Sequence, residues 1–419
     1  MFYKKNIIIV LTFLIISIII SLLIYKQIIY PTIVPMITNT NVSLFADWTV
    51  ILNANMCEKK GFDVFVNNPC DHWNRKHIYG EILLYFPFIK TFPKFYFLYF
   101  PLFINLFFVW IIVNNLLSHQ NKKNFLFLLV FLFNVPVLLA IERANIDIII
   151  YIFAFLIAKN KNAFLNYFLI TISTLGKFYP IFLSIIFLFK KNLKDIFVNL
   201  LIIFTLILVI FIFQIDSFKK IFDNLQQFSG YGFGVYEFSF TGGVRFINFF
   251  KIDIDGNNYS WIKYVFLFLF ILLPTVLINL FYSKNIRQHN EIANLFFENT
   301  FENRFYILSS VLIIFCYFSF SNFLYREIFF IGLLPWILKK EKNSIDNNFL
   351  NSYFYILFFK FLLSTSIVFL SKNNIFPNFD PIYVIIKHTL DFYLISIVTH
   401  VFLFSLFSFY KKKFKNIAN

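Results

Sequence analysis

Along nearly the whole of this 419-residue chain, long apolar runs alternate with short breaks that carry lysine or arginine. A bilayer's hydrocarbon core is roughly 30 Å thick, so a helical run of about twenty apolar residues crosses it. Inside that core the chain must satisfy its own backbone hydrogen bonds, which leaves helices or a closed barrel as spanning structures. The runs are continuous rather than alternating, so the pattern constrains the chain to an all-α polytopic membrane protein. Composition agrees: 59% of residues are hydrophobic and 14% charged, against about a quarter charged in a soluble domain. The joint abundance of Phe, Ile, Lys, Asn and Tyr is what an AT-rich coding sequence produces, so no single Phe or Asn carries weight.

Residues 6–30 follow Lys4 and Lys5, contain no acid, and are read as a retained first helix rather than a cleaved signal, because no small-residue cleavage site follows. Further runs fall at 95–118, 125–141, 146–158, 163–176, 178–189, 196–213, 264–282, 305–318, 326–338, 351–370 and 384–409. Several are too short for a full span, giving about twelve transmembrane or half-membrane helices in a single membrane domain, 1–419, with no convincing internal repeat. With both termini in the cytoplasm, every short inward break is basic: Lys122 and Lys123; Lys159 and Lys161; Lys190, Lys191 and Lys194; Lys284, Arg287 and Arg304; Lys339, Lys340 and Lys342; and the Lys411–Lys415 tail. That is the positive-inside pattern. It accounts for the +16 formal charge better than a nucleic-acid surface does, since no recognition motif is present.

The outward connections then hold the residues that chemistry can use. They are two sizeable extracytoplasmic loops, 31–94 (with an amphipathic piece at 81–90) and 214–263, and the shorter breaks 142–145, 176–178, 319–325 and 371–383. In the first loop Asp47 follows the membrane exit closely, where low dielectric favours a proton-accepting carboxylate, the alternative being a solvated or capping Asp. Cys57 and Cys70 share this loop and can close one local disulfide; two free thiols are the alternative. Their spacing with His72 and His77 does not make a zinc site, and no metal or cofactor is expected.

Glu142-Arg143-Ala-Asn145-Ile-Asp147 places three ionisable groups within six residues at membrane level, an expensive arrangement that marks a site by default. A structural Glu–Arg staple is the competing reading. Gly176-Lys177-Phe-Tyr179-Pro180 sets a lysine at a break, as a phosphate-binding ammonium or as a snorkelling side chain. The second loop collects Gly230, Gly232, Gly234, Gly242 and Gly243 beside Arg245. Tyr325-Arg326-Glu327 interrupts another apolar run. Arg143, Lys177, Arg245 and Arg326 thus share one side of the topology with Asp47, an arrangement suited to a phosphate-bearing, lipid-anchored substrate.

In the order and common side of Asp47, the Gly61-Phe-Asp-Val-Phe and Asn-Pro-Cys70-Asp71 run, Glu142-Arg-Ala-Asn145-Ile-Asp147, Gly176-Lys177-Phe-Tyr-Pro180 and Tyr325-Arg326, the chain resembles the GT-C class of membrane glycosyltransferases. It is most similar to the bacterial polyprenol-phosphate-sugar enzymes of glycosyltransferase family 87 and their uncharacterised relatives, over about residues 40–335. That resemblance implies a GT-C-like fold in the bacterial inner membrane. It also implies metal-independent transfer of a hexosyl-type sugar from a polyprenyl-phosphate donor to a cell-envelope glycan or glycolipid. Asp47 would be the general base, and Arg143, Lys177, Arg245 and Arg326 the donor-phosphate ligands. Glu142, Asn145, Asp147, Tyr179 and Tyr325 would line the pocket. The 142–147 cluster is more charged than the corresponding region of mannosyl transferases. Rival readings are a transporter or flippase of lipid-linked saccharides, favoured by Lys360 and Lys387 in late apolar runs, and a polymerase or ligase using polyprenyl diphosphate-linked glycans.

Overall fold

The structure is a computed structural model describing residues 44–87, 89–119, 125–190, 192–224, 232–234, 290–319, 322–341, 348–372 and 380–418. The expected spans 6–30 and 264–282, the inward residues Lys4, Lys5, Lys122, Lys123, Lys191, Lys284, Arg287 and Lys342, and Arg245 with most of the 214–263 loop lie outside the described residues. Among the described residues the regular structure is helical apart from one two-residue antiparallel bridge, Gly232–Phe233 with Asn322–Phe323. Four helical stretches among the described residues are long and apolar enough to cross a membrane: Phe95–Leu116, Leu193–Phe213, Phe301–Phe318 and Ile386–Lys413. Ala163–Gly176, Tyr179–Phe189 and Phe349–Leu363 are apolar but shorter. The described chain thus has the helical, membrane-compatible character expected.

Several expected elements change form. The amphipathic piece at 81–90 is one 3-10 turn, Glu81–Leu84. The run 178–189 is 3-10 rather than α, over Tyr179–Phe189 with Pro180 at its start, a first-turn position where its missing N–H costs no intrahelical bond. The run 326–338 is 3-10 over Leu324–Leu333 and α only from Leu334 to Glu341, while 384–409 is the middle of one 39-residue helix, Asp380–Ala418. The second loop opens with a helix, Ile215–Asp223.

The chain packs as two compact units: Met1–Ser118 with Leu138–Gln226, and His119–Val137 with Gln227–Asn419. In the first, the Ala46–Glu58 helix is buried on almost every side. Trp48 lies against Phe86 and Phe100, with ring centroids 5.5 and 5.1 Å away, and donates Nε1–H to the Tyr96 carbonyl at 2.9 Å. Cys57, at the far end of the same helix, is disulfide-bonded to Cys70, so the loop that follows returns along the helix. Gly80 then ties the loop to the end of the Ala163–Gly176 helix. Its N–H donates to the Gly176 carbonyl at 2.9 Å, and a Cβ on Gly80 would stand 1.7 Å from the Leu175 carbonyl oxygen. Only glycine permits that approach, which brings the first loop beside Lys177.

The second unit is built on the Phe301–Phe318 helix, begun by Thr300, whose hydroxyl accepts from the Asn303 N–H. Buried aromatic side chains fill this unit, among them Tyr306 and Trp336, with ring centroids 4.5 Å apart.

Candidate active site

Asp47 occupies the first turn of the Ala46–Glu58 helix and is 6% exposed. Phe45 before it adopts φ 62°, and its N–H donates to the Glu142 carbonyl at 2.9 Å. Ala144 is also left-handed, at φ 44°. Non-glycine residues rarely take this region, at a cost of roughly 1–2 kcal/mol each. Here the two strained positions flank the closest approach of the first loop to the 142–147 break.

Across that approach the Asp47 carboxylate is fully engaged. Oδ1 receives Arg143 Nη1 at 3.0 Å and Arg75 Nη1 at 3.4 Å; Oδ2 receives Asn145 Nδ2 at 2.7 Å. Asn145 has a double duty, because its side-chain oxygen also accepts the Asp147 N–H at 2.9 Å and so caps the Ile146–Lys159 helix. An N-cap of this kind satisfies one of the helix's orphan donors. The same amide therefore starts the helix that carries Asp147 and fixes the carboxylate of Asp47.

Arg75 was not among the expected site residues, yet it is held at several points. Asp71 grips it through Nε and Nη2, both at 3.0 Å, and the Ala46 carbonyl accepts from Nη2 at 2.8 Å. Its guanidinium also lies 4.5 Å over the Trp73 ring. Asp71 in turn accepts the N–H groups of Trp73 and Arg75, both at 3.1 Å. The available signal was the Asp71-x-x-x-Arg75 spacing, directly after the disulfide.

Lys177, expected as a phosphate-binding ammonium, is committed within the protein. Its Nζ is 2.5 Å from Asp147 Oδ1, with the Tyr79 and Tyr179 rings 5.6 and 5.5 Å away. Tyr179 donates its hydroxyl to the same oxygen at 2.6 Å. Two adjoining clusters thus share the Asn145–Asp147 turn: Asp47 with Arg75 and Arg143, and Asp147 with Lys177 and Tyr179. Burial pushes the Glu142 carboxyl up to about 8 against the opposing pull of Arg143. Arg143 Nε stands 3.9 Å from Glu142 Oε2.

Tyr325 and Arg326 belong to the second unit, on the Leu324–Leu333 segment, so Arg143 and Lys177 are the expected cations gathered in the first. The second unit has a charged centre of its own. Lys360 pairs with Glu327, and with Asp391 at 3.1 Å; Lys387 pairs with Glu327 at 3.0 Å and Asp391 at 2.7 Å. All four side chains are buried. Among the described residues no group of three or more His, Cys, Asp and Glu side chains is arranged to hold a metal ion.

No family model, curated protein or solved structure matches the chain.

Proposed function

We propose that the protein is an integral membrane glycosyltransferase that transfers a sugar from a polyprenyl-phosphate donor to a cell-envelope glycan or glycolipid at the extracytoplasmic face. The observation that carries this reading is the buried Asp47 carboxylate, oriented by Arg143, Arg75 and Asn145 beside a third cation, Lys177. In the reaction an acceptor hydroxyl attacks the anomeric carbon as the bond from that carbon to the phosphate oxygen breaks. The hydroxyl proton passes to Asp47 and the bonding electrons leave with the lipid phosphate. Preorganised cations at the site of developing charge lower such a barrier without reorganising at the moment of reaction. On donor binding, before the chemical step, Arg143 turns from Asp47 toward the phosphate, which frees a carboxylate oxygen to receive the proton; the charge-assisted bonds exchanged are similar in kind.

A second reading, a transporter of lipid-linked saccharides, is favoured by the Glu327–Lys360–Lys387–Asp391 quartet, because ionisable groups buried in apolar helices mark transport pathways. Reconstitution into liposomes with radiolabelled polyprenyl-phosphate sugars separates the two. Label appearing on an acceptor supports the transferase. Label crossing the bilayer without transfer to any acceptor supports the transporter.

A further inference from the structure

Glu142 is 1% exposed, and among the described residues nothing hydrogen-bonds its Oε2. A buried, unsatisfied carboxylate oxygen is costly in either protonation state and far more so when charged. The charged groups acting on it are Arg143 on its own helix and Asp47 from the Ala46–Glu58 helix. Arg143 stands between these two acids, with Nη1 3.0 Å from Asp47 Oδ1 and Nε 3.9 Å from Glu142 Oε2. The short contact is a hydrogen-bonded ion pair and the long one is not. Arg143 is therefore committed to Asp47, the geometry expected when Glu142 is neutral.

We propose that Glu142 is a positioning residue that holds a proton near neutral pH and, on losing it, draws Arg143 away from Asp47 and weakens the site's hold on an anionic ligand. Formal charges in the first-unit site show why. Asp47, Asp71 and Asp147 balance Arg75, Arg143 and Lys177, so a neutral Glu142 leaves no net charge and an ionised one leaves an excess negative charge. The ligand class is a phosphodiester such as a lipid-linked sugar phosphate, which keeps a single negative charge across the relevant pH range. The inference rests on the anion-binding role assigned above, yet its protonation half stands apart from any activity.

Two measurements on the purified full chain test it. Infrared spectra should contain a protonated-carboxyl band at neutral pH that fades as pH rises through about 8 and is missing in Glu142→Gln. Absence of that band in the parent, or its persistence in the variant, overturns the inference whatever the protein's activity. If Glu142→Gln fails to fold, Glu142→Asp serves, because the band should then shift rather than stay. The second measurement is the affinity for a short-chain alkyl phosphodiester from about pH 6.5 to about pH 9.5. The parent should weaken at least fivefold or so across that range while Glu142→Gln stays flat. Equal weakening in both, or none in either, overturns the gating half. Phosphodiester gating with no sugar transfer from any donor leaves the inference standing and removes the transferase reading.

Discussion

Arg143 Nη1 lies 3.0 Å from Asp47 Oδ1, although ninety-six positions separate the two residues in the chain. The contact joins the first loop to the break before the Ile146–Lys159 helix, with the Phe45 N–H to Glu142 carbonyl bond beside it. Replacing Arg143 by Gln should lower transfer by about a hundredfold and stability by roughly 2 kcal/mol, the scale of a charge-assisted bond. Arg143→Lys should recover stability better than activity, because a lysine cannot reproduce the planar fork. Steady-state transfer rates and thermal melts of the three proteins check both statements.

Arg75 should behave as one element with Asp71. Arg75→Gln and Asp71→Asn each remove the bidentate grip, so the double variant should be little worse than either single one. A double-mutant cycle on thermal stability should return a coupling of about 1 kcal/mol or more. Additive effects would mean that the pair contributes little beyond two separate side chains. The KM for donor should rise in Arg75→Gln more than kcat falls, since Arg75 reaches Asp47 at only 3.4 Å.

His77 lies in the first loop and is 1% exposed; burial holds its imidazole down at about 4. Its folded value is below the unfolded one, so the unfolded chain binds the extra proton between them and stability rises with pH across that window. The His77 contribution is complete above about pH 6.5 and is lost as pH falls from there toward 4. His77→Gln should flatten that part of the stability–pH curve, measured by thermal melting. An unchanged slope would show that other groups set the acid limb.

In the second unit, the quartet of Glu327, Lys360, Lys387 and Asp391 is charge-balanced and buried. Removing one member leaves an uncompensated buried charge, costing about 3–5 kcal/mol. Lys387→Met alone should therefore destabilise strongly, while Lys387→Met with Asp391→Leu should recover much of the loss. If transport is the function, the double variant should regain stability without regaining lipid movement. Thermal melts and a liposome translocation assay read the two effects separately.

Much of the helical framework was legible in the sequence because apolar run length is a local property. The runs at 95–118, 163–176, 196–213 and 305–318 correspond to Phe95–His119, Ala163–Gly176, Leu193–Phe213 and Phe301–Phe318. Local hydropathy does not distinguish α from 3-10 backbone, which is why 178–189 and 326–338 read as ordinary apolar helices. Within the site, Asp47, Arg143, Asn145 and Asp147 stood out as charged or capping residues against an apolar background. Arg75 did not, because the loop around it is polar and its importance comes from tertiary contacts with Ala46 and Asp47. Lys177 illustrates the converse: its position at a break was visible, but its commitment to Asp147, thirty residues earlier, is a tertiary contact between two different helices' ends.

The most direct test of Asp47 as the proton acceptor is sugar transfer by the purified parent and by Asp47→Asn, with polyprenyl-phosphate sugar as donor and equal folding verified by thermal melting. Loss of a positioned general base costs about two to four orders of magnitude in rate. A drop of that size in Asp47→Asn, with donor binding retained, is the expected result. Transfer that continues undiminished in Asp47→Asn would contradict it.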